Sequence, residues 1–400
     1  MDLSNIRMRE HYGLLTNDTN TSKFSFHVSP PKTKDSVAKE DYVIVDHPVF
    51  GETCPVLGRI IEITSYQEVA GSTIGDRIGK MLATTEIIGY VDLKKEKRPM
   101  RNLLVPPNPG SRVYLPTVNF LEDALNRNQK GEAFSKPLLF GSEASSTEGQ
   151  QNQIRVNIDA QELLSKHTLI AAMTGAGKTY AAKILIQELS DKTDTPIVII
   201  DYDGEYTNVK PAKSKVVILA ARPEKTAKKT QTKQAQVESL CDKNEKDFLS
   251  KEVKQGQITI LNCQGLSAED RHVFFLKYLK TLCKNRTDEK IEPFFLLIEE
   301  AENFKGETLD QVVAEGRKNG IAVCLISIHP VELGGRVLSQ IGNQIIGKTT
   351  NKDDLESLSD MTGVDRNVLR HLAVGEWIIN GINRSGPIKV QAKEKPNTPN

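Results

Sequence analysis

The sequence predicts an α/β chain in two parts, a small β-barrel or sandwich followed by a parallel sheet covered by helices. Three observations carry that expectation. Between residues 40 and 116, short β-branched runs alternate with Gly, Pro and charged turns. Beyond residue 150 the rhythm becomes strand, helix, strand, helix. The strand-like runs of that second half are apolar along their whole length, as strands covered on both faces require. At 400 residues the chain also exceeds what one compact core usually needs.

Taken in order, residues 1–35 are polar, end in "SPPKTKD", and read as a flexible N-terminal arm. Residues 36–150 carry "DYVIVDHPVF", "PVLGRIIEITSY", "TTEIIGYVDL" and "SRVYLPTV", interrupted by a short helix in "NFLEDALNRNQK". This is the β-domain. Residues 151–392 form the α/β domain. There "HTLIAAM" is a buried strand and "KTYAAKILIQELS" a helix; "PIVIIDYDG", "QITILNC", "PFFLLIEEA" and "IAVCLISI" are further strands. "SAEDRHVFFLKYLKTLC" is a helix with a Ser cap and "TLDQVVAEGRKNG" one with a Gly stop. A Lys-, Thr- and Gln-rich insertion near 210–255 is expected to be helical, and the tail 393–400 disordered.

Composition narrows the function classes. A net charge of +1 supplies no global field toward nucleic acid or membrane, so any such contact needs a local basic patch. The five cysteines (Cys54, Cys241, Cys263, Cys283, Cys324) form no C-x-x-C pair, which argues against a zinc site or disulfide framework and fits a reducing cytoplasm. No apolar run approaches the length of a membrane span.

The chemistry begins at "LIAAMTGAGKTYAAKIL", residues 169–185. A strand, a tight glycine turn and a helix are the frame a phosphate-binding loop requires, although Ala172 stands where G-x-x-x-x-G-K-[ST] places its first glycine. Gly175 and Gly177 would let backbone N–H groups approach phosphate, and the helix N-terminus adds its dipole. The binding run is Thr174, Gly175, Ala176, Gly177, Lys178, Thr179 and Tyr180, with Lys178 on the β- and γ-phosphates of ATP and the Thr179 hydroxyl on Mg²⁺. "FFLLIEEAENF" supplies the second half of such a pocket: Glu299 for the metal and its water shell, Glu300 to take a proton from an attacking water. Asp201, Asp203 and Glu205 in "DYDGEY" gather at another strand end, either as part of the site or as an ordinary acidic turn.

These residues resemble those of HerA-type ATPases, the branch of hexameric DNA pumps that also contains FtsK. "IEEAENF" resembles their Walker B strand. "PPNPGSRVY", "LLFGS", "VNIDAQELLSKH", "IIDYDGEY", "AEGRKNG", "LSQIGNQIIGKTTN" and "VGEWIINGI" follow in the family's order, from about residue 40 to 392. The resemblance implies a RecA-like P-loop NTPase core with an N-terminal small β-barrel of the HerA–ATP synthase type. It implies a homo-oligomeric, hexameric ring that translocates or unwinds double-stranded DNA, acting with a nuclease such as NurA in DNA end processing or repair. By the same resemblance Arg317 reaches a neighbouring subunit's site, where its permanent charge would stabilise the γ-phosphate in the transition state, and Lys348 senses phosphate in its own.

One departure matters. The family's Ser-Gln ahead of Arg-Pro is here Ser327, Ile328, His329, Pro330. Isoleucine cannot hydrogen-bond phosphate or water, so either His329 takes that role or turnover is slow. For DNA, the basic candidates are Lys225, Lys228, Lys229 and Lys233 in "RPEKTAKKTQTK", with a solvated loop as the plain alternative. Two functions stay open: an ATP-driven DNA motor, and a nucleotide-binding ring that organises a nuclease or antiphage effector with little turnover.

Overall fold

The computed structural model describes residues 6–28, 37–39, 41–49, 52–66, 80–128, 130–143, 154–220, 235–239, 253–304, 306–382 and 386–394. The chain divides into two compact units. One comprises Met1–Phe134, Ser142–Val156 and Asn383–Gly386; the other comprises Ser135–Gly141, Asn157–Ile382 and Pro387–Asn400.

The first unit is a closed barrel. Its strands are β1 (Arg7–Thr19), β2 (Lys23–Val28), β3 (Tyr42–Val49), β4 (Glu52–Tyr66), β5 (Lys80–Tyr90) and β6 (Arg112–Pro116), in the order β1-β2-β5-β4-β3-β6. Every pair is antiparallel, and β6 pairs back onto β1, so no barrel edge is left open. Inward positions alternate along the strands: Phe24 and Phe26 on β2, Val43 and Val45 on β3, Val56 and Ile60 on β4 fill the interior. Helix α1 (Val118–Leu125) is capped by Thr117, whose hydroxyl accepts from Phe120 N. It packs Phe120 and Leu121 beside Ile44 and Leu57.

The expected arm over residues 1–35 is therefore corrected: 7–19 and 23–28 are barrel strands. The stretch is polar because a barrel strand needs apolar residues on one face only. Irregular register between Arg7, His11 and Gly13, and again between Leu15 and Thr19, blurs the alternation further.

The second unit carries a 12-stranded sheet. Its members are β7 (Pro137–Glu143), β8 (Ile154–Asp159), β9 (His167–Ala171), β10 (Ile197–Asp201), β11 (Lys215–Ala220), β12 (Ala235–Ser239), β13 (Gln257–Asn262), β14 (Phe294–Ile298), β15 (Ile321–Ser327), β16 (Ile341–Ile346), β17 (Glu376–Asn380) and β18 (Ile388–Ala392), ordered β12-β11-β13-β10-β14-β15-β9-β16-β17-β18-β7-β8. From β12 to β16 all pairs are parallel, then β17 and β18 run antiparallel. The central strands β9, β10, β13, β14 and β15 are buried at every position, as their continuous apolar runs require. Helix α2 (Ala160–Ser165) follows β8, α3 (Lys178–Lys192) follows β9, and the helices Ala268–Thr287 and Glu307–Gly316 flank β14 in the chain. Phe275, Leu279, Leu282, Leu309, Val312 and Val313 from the last two share the core with Val198, Leu296 and Val323. Ser267 caps the longer helix by accepting from Asp270 N.

Three domain boundaries change. β7 begins at Pro137 and belongs to the large sheet, although it falls inside 36–150; a short apolar run does not declare which sheet it joins. Within the insertion near 210–255, the described segments 215–220 and 235–239 are strands that extend the parallel sheet rather than helices. Lys393, placed in the tail, has a carbonyl that accepts the Tyr180 hydroxyl at 2.7 Å.

His167 ties strand to helix. Its ring is buried, Nδ1 accepts from Val323 N at 3.1 Å, and Nε2 lies 2.8 Å from Val313 O. Only the neutral ring with its proton on Nε2 satisfies both partners. Burial, the larger influence, and the Arg317 charge both hold its pKa below the ordinary histidine value.

Candidate nucleotide site

Four neighbouring strands, β10, β14, β15 and β9, end side by side and turn into loops that enclose one cleft of about 580 Å³. Ligands in open parallel sheets bind at such carboxyl ends. The cleft is lined by Thr174, Gly175, Gly177, Lys178, Thr179, Tyr180 and Lys183 on one side, and by Asp203, Glu205, Glu299, Glu300, Ile326 and Ile328 on the other.

The loop after β9 has the conformation that its glycines were expected to permit. Gly175 and Gly177 have φ of 80° and 98°, in the left-handed region, and a Cβ on Gly175 would meet nothing within 4 Å. Their need is therefore conformational rather than steric. The loop is held from below: Met173 N donates to Lys348 O at 2.8 Å, and Ala176 N donates to Met173 O at 3.2 Å. α3 starts immediately after, with Gly177 as its N-cap and no side chain capping it. Its first N–H groups thus face the cleft unclaimed by any cap, with the positive end of the helix dipole behind them.

Lys178 folds over this loop and donates from Nζ to Met173 O at 3.3 Å. Burial lowers its pKa, and the charges of Glu302, Glu300, Glu205 and Glu299 oppose that shift. The Thr179 hydroxyl donates to the Glu205 carboxylate. Tyr180 marks the rim, and Lys183 places its Nζ 5.8 Å from the centre of the buried Tyr206 ring.

The acids are not equivalent. Asp201 is fully buried and accepts three backbone N–H groups, from Gly204 (2.8 Å), Glu205 (2.9 Å) and Tyr206 (3.0 Å), so it builds the turn of "DYDGEY". Glu299, only 5% exposed, accepts Tyr202 N at 3.0 Å and Asp203 N at 3.4 Å from the same turn. It also hydrogen-bonds the Asp201 side chain; burial first, and that neighbour second, push its pKa up to about 9. Asp203 is held outward by Arg271 at 3.0 Å.

Glu300 adopts φ 46°, a left-handed conformation unusual for a side-chain-bearing residue. Asn303 secures it twice, donating from its backbone N to Glu300 O (2.9 Å) and from Nδ2 to Oε2 (3.0 Å). Burial, then the charges of Asp203 and Glu302, raise the Glu300 pKa. Glu302, which the sequence did not single out, accepts Ile328 N at 2.8 Å and so joins the β14 loop to the β15 loop.

The remaining candidates stand apart. Arg317 is exposed at the end of the helix Glu307–Gly316 and does not line the cleft. His329 does not line it either; its Nδ1 lies 3.1 Å from Asp354 Oδ2 in the helix Lys352–Thr362. Lys348 supports the loop through its carbonyl, and its side chain is not in the lining. Ile328, next to His329, does line the cleft. Lys225, Lys228, Lys229 and Lys233 lie outside the described residues.

Comparison with known proteins fits this geometry. A family model described as "Helicase HerA, central domain" matches residues 145–247. A probable helicase of Methanocaldococcus jannaschii is 24% identical over 515 aligned positions, covering 96% of this chain and 95% of that one. The chain is thus similar to HerA-type helicases. A DNA double-strand break repair helicase HerA of Saccharolobus solfataricus is 30% identical over 162 residues, 36% of this chain and 32% of that protein. Among solved structures, VirB4 of Thermoanaerobacter pseudethanolicus is similar with a TM-score of 0.45 and 14% identity, over 66% of this chain and 98% of that one. Among the described residues, no helix is long and apolar enough to cross a membrane.

Proposed function

We propose that this chain is an ATP-driven DNA translocase or helicase motor that assembles as a ring, a hexamer by family likeness, and works with a nuclease in DNA end processing or repair. The observation that carries the hydrolytic part is Glu300, held in a left-handed backbone at the cleft wall that faces Lys178 and the uncapped start of α3. A carboxylate whose pKa is raised by burial is a better proton acceptor near neutral pH, and a strained backbone kept in place by Asn303 is the kind that persists for function.

In this reading the backbone of Gly175–Thr179 and the Lys178 ammonium bind the phosphates, and Glu300 accepts a proton from the attacking water. Oxygen donors on Thr179 and Glu205 suit a hard cation such as Mg²⁺. Among the described residues no group of three or more His, Cys, Asp or Glu side chains could hold a metal ion unaided, so phosphate oxygens would complete its shell. Mg²⁺, when bound, supplies charge neutralisation for the transferring phosphoryl group. Arg317 is free to serve a neighbouring copy rather than its own cleft, which is why ring assembly and hydrolysis are linked here. Double-stranded DNA enters through the likeness to a DNA double-strand break repair helicase, and a NurA-like nuclease only through the resemblance of the sequence motifs. The test is native mass measurement together with DNA-dependent hydrolysis. A ring whose ATPase rises with linear duplex DNA supports the motor; a monomer with the same activity at all concentrations contradicts it.

One observation favours a second reading, a nucleotide-binding ring that organises a nuclease or effector with little turnover. Ile328 lines the cleft where the family has a polar residue, and Glu302 occupies its N–H. Partner assembly driven by nucleotide binding, with negligible hydrolysis, would support that reading.

A further inference from the structure

We propose that Glu205, not Glu299, is the protein carboxylate on the metal side of this site, and that Glu299 with Asp201 is the frame that holds it there. This rests on the nucleotide reading above and assigns roles within it.

The contrast between the two glutamates is geometric. Glu299 is almost wholly buried and its carboxyl is already engaged: Oε2 accepts Tyr202 N and Asp203 N, and the group also hydrogen-bonds Asp201. Freeing it for a cation would leave two N–H donors of the turn without a partner in a buried place, a costly change. Glu205 is exposed, and its carboxylate already meets the Thr179 hydroxyl, the group that a phosphate loop offers to its metal. Among the described residues no other carboxylate hydrogen-bonds that hydroxyl.

The remaining contacts explain how Glu205 arrives there. Asp201 accepts the N–H groups of Gly204, Glu205 and Tyr206, which curls the chain after β10 back over its own end. Tyr206, fully buried, anchors the far side of that curl. Gly204 takes φ 83° within it, a left-handed conformation that suits glycine, and a Cβ there would lie 2.8 Å from the Gln264 side chain. Glu299 grips the near side through Tyr202 and Asp203. A buried pair of carboxyls at two strand ends thus exists to build one turn, and the turn delivers one free carboxylate to Thr179. Glu299 is in this account a positioning residue.

The experiment is calorimetric titration of a non-hydrolysable ATP analogue into the full chain, once with excess EDTA and once with Mg²⁺, for wild type, Glu205→Gln and Glu299→Gln. Wild type is expected to bind more tightly with Mg²⁺. Glu205→Gln is expected to lose most of that gain, about tenfold or more, while keeping its EDTA affinity. Glu299→Gln is expected to show the larger fall in thermal midpoint. If Glu205→Gln keeps the full Mg²⁺ gain, or weakens binding equally with and without Mg²⁺, the assignment is overturned while the nucleotide site stands. A wild type that binds no analogue in either condition overturns the nucleotide reading and this assignment with it.

Discussion

The Cβ of Ala172 occupies the space that the missing side chain of Gly347 leaves: a Cβ built on Gly347 would lie 3.0 Å from it and 2.9 Å from Trp377 Cζ3. The glycine absent from the start of the phosphate loop is thus matched by a glycine on the neighbouring strand end, at a fully buried position. Gly347→Ala is expected to destabilise the chain by about 1–3 kcal/mol through overpacking. Adding Ala172→Gly should recover part of that loss, since the contact with the Ala172 Cβ disappears while those with Trp377 remain. Thermal midpoints of both single variants and the double variant check this; strictly additive losses would contradict it.

Trp377 is the only tryptophan in the chain, fully buried, with its ring 3.8 Å from where a Gly177 Cβ would stand. Nucleotide binding at the loop is expected to change its emission. Lys178→Ala should abolish that response at concentrations that saturate the wild type, and a fluorescence titration reads it directly.

Glu300 separates stability from chemistry. Relieving its left-handed backbone with Glu300→Gly should stabilise the fold by about 1 kcal/mol, the order of the left-handed penalty for a residue with a side chain. The same change should remove hydrolysis. Loss of activity accompanied by a lower midpoint would mean that Glu300 is held for packing instead.

The His167 clamp sets a pH dependence. Its folded pKa is depressed, so its contribution to stability is fully present above the unfolded value of about 6.5 and is lost as pH falls through the lower folded value. A protonated ring cannot accept from Val323 N. His167→Phe, less stable than wild type at neutral pH, should therefore lose less stability than wild type as pH falls below about 6.5. Denaturant titrations at several pH values measure the difference; parallel slopes would rule the clamp out as its source.

Much of the second unit was legible because its physics is local. "PFFLLIEEA" and "IAVCLISI" declare strands buried on both faces, and "GAGKT" after "HTLIA" declares a loop with its helix. Ser267 and the first turn of its helix obey simple capping chemistry. What was illegible depended on partners distant in sequence. Residues 7–28 read as an arm because polar, bulged barrel strands reveal themselves only once β6 and β5 are beside them. The sequence assigned Glu299 to the metal and Glu300 to the proton; that Glu299 accepts the N–H groups of Tyr202 and Asp203 was not legible, because that turn is distant in sequence. His329 looked available as a polar substitute until Asp354, 25 residues away, was found to hold it.

The central claim is that this cleft hydrolyses ATP through Glu300. Its most direct test is steady-state phosphate release from ATP and Mg²⁺, with linear duplex DNA present, by wild type and Glu300→Gln. The account predicts measurable turnover for wild type and a fall of about 10²–10⁴-fold in the variant with nucleotide binding retained. Equal rates in the two proteins, above a Lys178→Ala blank, would contradict it.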